Sequence, residues 1–262
     1  MKICLAQTRP FPGDLRRNLK RHQALVSRAA SQGADLVIFP ELSLTGYEPG
    51  LAGGLAIDQE DRQLDGLQET CDAQQVTIGA GLPTQSPTGI CISMVVFTPN
   101  QARRTYSKGY LHSDEREHFV PGRSFTYLDI QKTRLAFAIC YELSVPEHAA
   151  KAAQQGATIY VSSVAKTAEG VAQAQQRLSQ IAESYSMTVL MANCVGPNDN
   201  FIGAGNSSAW NNRGILLGQL DDTGEGLLLL DTGTERLVKL NPLRTCTKYE
   251  AKPLQSGKKL LG

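Results

Sequence analysis

The tightest constraint on this chain is the stretch Leu135 to Glu147, LAFAICYELSVPE, where an apolar run stops at a cysteine. Leu135, Ala136, Phe137, Ala138 and Ile139 form a run short and sharply bounded enough to be a strand buried on both faces. Ser144 is placed to cap a helix that opens near Pro146, carries Glu147 in its first turn and continues through His148 to Gln155, where Gly156 stops it. Strand, tight turn and helix are the plan of a nucleophile elbow, which fixes a side chain at a strand end and aims backbone N–H groups at whatever that side chain attacks. Cys140 holds the elbow position. On this stretch alone it reads equally as a nucleophile or as an inert buried thiol, because free cysteine packs as a small hydrophobe. A base elsewhere in the chain decides between the two.

Composition narrows the setting. A chain of 262 residues, 41% hydrophobic and 19% charged, can bury a sizeable core. A net charge of +1 with scattered lysines and arginines supplies no basic field, so nucleic acid is not an expected partner. The six cysteines, Cys4, Cys71, Cys91, Cys140, Cys194 and Cys246, lie far apart without a CxxC pair. That spacing suggests neither a zinc site nor a disulfide scaffold, and it fits a reducing cytoplasm. The apolar stretch at the N-terminus is too short for a signal peptide and nothing later approaches a membrane span, so a soluble cytosolic protein with no membrane partner is expected. Without repeats or a linker, residues 1–262 read as one domain.

Taken in order, strand and helix patterns alternate. Lys2 to Thr8 reads as a strand, Asn18 to Ser31 as a helix, and Asp35 to Phe39 as a strand that runs straight into Pro40 and Glu41. A carboxylate at a strand end is either functional or an ordinary surface glutamate in a βα loop. Leu64 to Gln74 reads as a helix, followed by strands at Val76 to Leu82 and Ile90 to Thr98 around a Pro-Thr-Gly turn. Arg103 to Ser107 leads as a further strand to Lys108 and then to the charged loop Gly109 to Gly122. His112 and His118 in that loop read as loop histidines, since no helical HxxxH or paired His/Cys spacing supports a metal. Beyond the elbow come a strand at Thr158 to Ser163, a helix at Val171 to Tyr185 and a strand at Thr188 to Asn193. A Gly/Asn loop spans Val195 to Asn206, a hairpin Ser208 to Gly218, and a core strand Gly226 to Asp231. Gly203 and Gly205 are only a fragment of a dinucleotide fingerprint, so no nucleotide is expected there. From about residue 239 the chain reads as an extended tail that could reach another subunit.

Three strand ends thus carry Glu41, Lys108 and Cys140: a base, a cation and a soft nucleophile. Lys⁺ beside a thiol favours the thiolate, a carboxylate can take its proton, and the same lysine can stabilise an oxyanion. The pieces FPELSLTGY around Glu41, TYSKGYLH around Lys108 and AICYELSVPE around Cys140 resemble, in order and spread, the carbon–nitrogen hydrolase (nitrilase) superfamily. FVPG at Phe119 to Gly122, MANCVG at Met191 to Gly196 and GNSSAWNNRGILLG at Gly205 to Gly218 extend the resemblance over nearly the whole chain. It implies an α/β fold, a four-layer αββα sandwich of a kind that commonly dimerises through an outer helix layer, so a homodimer or higher homo-oligomer is expected. It also implies a cofactor-free, metal-free Cys-Glu-Lys mechanism with a thioester intermediate. The second glutamate that many members place after the lysine falls on Glu115 when counted back from Pro121-Gly122, with Glu117 the runner-up.

The resemblance places the substrate pocket against Tyr47, Glu115, Tyr141, Glu142 and the segment Ser163-Val164-Ala165-Lys166. Lys166 is open to two readings there, pairing with a substrate carboxylate or standing in solvent. Nitrile hydrolysers of the superfamily typically carry Cys-Trp-Glu, whereas this chain has Cys140-Tyr141-Glu142, which favours an amide. Ile181-Ala182-Glu183-Ser184-Tyr185 departs from the Arg-Ala-x-Glu-Asn helix of many relatives, and only 6% of residues are aromatic, which favours a small or polar substrate. The expected function is cleavage of a small linear amide or N-carbamoyl compound to acid plus ammonia or amine. The alternatives are a nitrilase, a silent binding subunit and an acyltransferase.

Overall fold

The computed structural model describes residues 1–122 and 127–241. The first half supplies β1 (Lys2–Gln7), α1 (Leu15–Ala30), β2 (Leu36–Ile38), the short α2 (Ala52–Leu55), α3 (Asp65–Gln74), β3 (Thr77–Ser86), β4 (Gly89–Phe97) and β5 (Arg104–Ser107). The second supplies β6 (Leu128–Ile130), β7 (Thr133–Ile139), α4 (Pro146–Gln154), β8 (Ile159–Val164), α5 (Ala168–Tyr185) and β9 (Thr188–Asn193). It continues with β10 (Val195–Pro197), β11 (Ile202–Ala204), β12 (Ser208–Trp210), β13 (Leu216–Gln219), β14 (Gly226–Asp231) and β15 (Arg236–Leu240).

These make two main sheets, ordered β15-β14-β1-β2-β3-β4-β5 and β13-β12-β9-β8-β7-β6. Strand alternation divides the apolar residues among three cores. Ile3, Leu5 and Ile38 of the first sheet meet Phe137, Val161 and Leu190 of the second in the central core. On the far face of the first sheet, Cys4 and Val37 pack under Leu25, Val26 and Ala29 of α1 and Leu67 of α3. On the far face of the second, Ala136, Ala138 and Tyr160 pack under Ala149 of α4 and Leu178 and Ile181 of α5. The order of layers is therefore helix, sheet, sheet, helix, as the resemblance implied. β7 is buried on both faces because small alanines face the helices while larger side chains face the opposing sheet.

Several local expectations shift. Helix α5 starts earlier than Val171, because Thr167 caps it by accepting from Gly170 N at 3.2 Å. Ser144 does not cap α4: Val145 stands at the cap without a side-chain bond, and Pro146 needs no donor partner at the first helical position. The Gly/Asn loop folds as the β10–β11 ribbon. Arg236 to Leu240, whose last two residues were expected to begin the tail, pairs antiparallel with β14. The remainder of that tail, from residue 242, lies outside the described residues. Among the described residues, no helix is long and apolar enough to cross a membrane.

Candidate active site

The site forms where strand ends from both sheets meet. The chain reverses at the end of β7 by placing Cys140 at φ +44°, a left-handed conformation that costs a non-glycine residue free energy. A short 3₁₀ turn, Cys140–Ser144, then leads into α4. Cys140 is half-exposed while Cys4, Cys71, Cys91 and Cys194 are buried. Its Sγ lies 4.0 Å from the Ala165 carbonyl at the end of β8. Burial, then the neighbouring Glu41 carboxylate, push the Cys140 thiol above its ordinary value, against the pull of Lys166 and Lys108.

Glu41 follows β2 in a loop built to hold it. Leu42 takes φ +52°, and the loop lies so close on Gly81 that a Cβ there would stand 2.4 Å from Leu42 N and 2.6 Å from Pro40 O. His22 of α1 stacks on Phe39 at 3.8 Å and supports the loop from beneath. Its Nδ1 donates to Asn18 O at 2.8 Å, which leaves Nε2 to accept from the Ser43 hydroxyl at 3.0 Å. Burial pushes this imidazole down to about 3, so it stays neutral. Gly81→Ala should displace the Glu41 loop. A misplacement of about 1 Å costs on the order of 10²-fold in turnover, and the overpacking about 1–3 kcal/mol. Turnover and the denaturant midpoint of the variant check both.

Lys108, after β5, is fully buried. Its Nζ donates to Glu41 Oε1 at 2.8 Å and to Glu115 Oε1 at 2.6 Å. Glu115 is fixed in turn, accepting from Tyr47 Oη at 3.0 Å and from His112 N at 2.8 Å. One cation therefore serves two buried carboxylates. Burial acts to lower the Lys108 pKa, but Glu41, Cys140 and Glu115 outweigh it and the ammonium is held. Burial dominates at Glu41, whose carboxyl rises above its ordinary range although Lys108 opposes the shift. The nearby Cys140 thiol acts with Lys108 to stabilise this carboxylate, and Glu41 Oε2, which is buried, has no hydrogen-bond partner among the described residues. Glu117, the runner-up for the second carboxylate, is exposed.

Three expected pocket residues face elsewhere. Glu142 is buried beneath the elbow, where Oε1 accepts from Gly109 N at 2.8 Å and Oε2 from Ile139 N at 2.8 Å and Tyr106 Oη at 2.7 Å. It ties the residue after Lys108 to the residue before Cys140, so it joins the two strand ends and does not line the cleft. His148 bonds Tyr106 Oη at 2.8 Å and Tyr160 Oη at 2.7 Å, extending this network under α4. Ser163 points between the sheets, where its hydroxyl donates to Phe39 O at 2.8 Å and anchors the strand that delivers Glu41. Val164 is buried in the helix-side core.

The cleft itself is a cavity of about 340 Å³ against Cys140, lined by the expected Tyr47, Glu115, Tyr141, Ala165 and Lys166. His112, Asp114, Asn200 and Phe201 also line it and were not expected. Phe201 meets Tyr47 edge-on with ring centroids 5.5 Å apart, and His112 meets Tyr141 likewise at 5.2 Å. The only hint of Phe201 in sequence is an aromatic residue inside an otherwise polar Gly/Asn loop.

Known proteins resemble this chain in sequence and in fold. The chain is similar to a hydrolase encoded in the pqqF 5′ region of Pseudomonas protegens, 31% identical over 61% of this chain and 57% of that protein. It is 28% identical to an (R)-stereoselective amidase of a Pseudomonas species, over 83% of this chain and 80% of that one. In structure it resembles the amidase of Nesterenkonia sp. AN1, with a TM-score of 0.81 and 26% identity over 90% of this chain and 96% of that one. Structures of that amidase include a complex with butyramide and the covalent addition of the acetamide moiety of fluoroacetamide at its active-site cysteine. The family model of the carbon–nitrogen hydrolases matches residues 2–238, so the layers and the strand-end loops all fall within it, and the chain belongs to that family.

Proposed function

We propose that this carbon–nitrogen hydrolase is a thiol amidase that cleaves a small linear amide through a Cys140 thioester. One observation carries the reading: a buried lysine is held between two carboxylates beside a half-exposed cysteine on a strained turn. Glu41 takes the thiol proton as Sγ attacks the amide carbonyl carbon. Lys108 Nζ has three donors and spends two on Glu41 and Glu115, which leaves one for the developing oxyanion. The Tyr141 N–H, in the first turn of the 3₁₀ segment, is the second donor. Glu41 returns the proton to the leaving amine, ammonia departs, and water activated by the same carboxylate releases the acid. Glu115 positions Lys108 and Tyr47. The amidases among the relatives, and Tyr141 where nitrile hydrolysers of the superfamily have tryptophan, favour an amide over a nitrile.

The test is ammonia release from butyramide, N-carbamoyl amino acids and butyronitrile across pH. The amides should be turned over. The acid limb of kcat/KM should lie above the ordinary 4.5 of a glutamate, because the base must be ionised and burial raises its pKa. Turnover of the nitrile alone would overturn the reading, and an acid limb below 4.5 would remove Glu41 as the base.

A further inference from the structure

Of the ammonium groups at the cleft, one makes no bond to the described residues. Lys108 is engaged by Glu41 and Glu115, and Asp114 by His112 Nδ1. Glu169, the acid closest in sequence to Lys166, is exposed and accepts from Gln173 at 3.4 Å. Among the described residues the Lys166 ammonium has neither an ion pair nor a hydrogen bond, although Lys166 is half-buried and lines the cleft with Cys140.

Its root is fixed. Lys166 N donates to Asn193 Oδ1 at 2.9 Å, and Lys166 O accepts from Asn193 Nδ2 at 3.2 Å and from Ala204 N at 3.0 Å. The preceding residue, Ala165, is the one whose carbonyl meets Cys140 Sγ. A pinned backbone and a free charge describe a side chain whose partner arrives from solution. In a small cleft with partly desolvated walls, an unpaired ammonium attracts and orients an anion.

Resting on the amidase reading, we propose that Lys166 recognises a carboxylate on the substrate, which is therefore an amide whose far end is anionic: the monoamide of a short dicarboxylic acid. Water and this substrate yield the dicarboxylate and ammonia. An N-carbamoyl amino acid offers the same carboxylate from a different source.

The experiment compares parent, Lys166→Met and Lys166→Arg on glutaramate, on its neutral counterpart valeramide and on N-carbamoyl-β-alanine. The parent should prefer glutaramate to valeramide by about tenfold or more in kcat/KM, through KM. Lys166→Met should cut that ratio by about 10–100-fold, and Lys166→Arg should restore most of it. Turnover of glutaramate above N-carbamoyl-β-alanine supports the monoamide, and the reverse order overturns that part. An unchanged ratio in Lys166→Met, including equal loss on both amides, overturns the recognition role. If the parent released no ammonia from valeramide or glutaramate, the amidase reading itself would fall, whereas turnover of both without a carboxylate preference sinks only the role of Lys166.

Discussion

Cys140→Ala is expected to abolish ammonia release, by on the order of 10⁴-fold or more, while leaving the fold as stable as the parent. Each half of this follows from a different observation. The loss follows because, among the described cysteines, no other thiol stands ready for Glu41 and Lys108: Cys194 is buried and its thiol is pushed up to about 12, chiefly by burial. Retained stability follows because Cys140 is only partly buried and lines the open cleft, so removing its sulfur leaves no sealed cavity. The strain at φ +44° is common to cysteine and alanine, but glycine escapes it. Cys140→Gly should therefore be equally inactive yet more stable, by about 1 kcal/mol. Ammonia assays and denaturant midpoints on the three proteins check this, and iodoacetamide should label Cys140 before Cys4, Cys71, Cys91 or Cys194 in the parent. Parent-level turnover by Cys140→Ala would end the thioester mechanism.

The elbow, the two-faced strand and the Glu41, Lys108 and Cys140 positions were all legible in sequence, for a common reason. Each is a local event, a strand pattern ending abruptly at a polar residue, and for Glu41 and Cys140 the strand is an apolar run that periodicity reports directly, while Lys108 follows the more polar Arg103 to Ser107. Glu142 and Ser163 were misplaced because neighbourhood along the chain does not say which way a side chain points. Ser163 closes a strand whose alternation sends its hydroxyl between the sheets, and the turn after Cys140 rotates Glu142 beneath the elbow, toward Gly109 N. The β15 strand was not read, and its last two residues were taken as the start of a tail, because an edge strand with Arg236 and Lys239 facing out lacks a clear apolar run. Gly81 and Phe201 matter only through long-range approach, to the Glu41 loop and to Tyr47, and no local pattern encodes that.

Lys108→Met should be inactive as well, but unlike Cys140→Ala it should also lose stability, by about 3–5 kcal/mol near neutral pH. Methionine nearly fills the volume, so packing is not the cause. The cause is that Glu41 and Glu115 are buried and share this one ammonium as their cation. Without it, burial and repulsion from Glu115 would hold the folded-state pKa of Glu41 still further above its unfolded value, with Lys108 no longer opposing them. A group whose folded pKa is raised favours folding when protonated, so its contribution is full below the unfolded pKa and is lost as pH rises through the folded one. The deficit of Lys108→Met against the parent should accordingly be small at about pH 4, near the unfolded carboxyl pKa, and should widen toward pH 8. Adding Glu115→Gln should recover part of the stability at pH 8 and none of the activity, because it removes a stranded charge without restoring the oxyanion donor. Denaturant midpoints of the single and double variants across this pH range decide it. A deficit that does not depend on pH would mean that the two carboxylates are not what Lys108 holds in place.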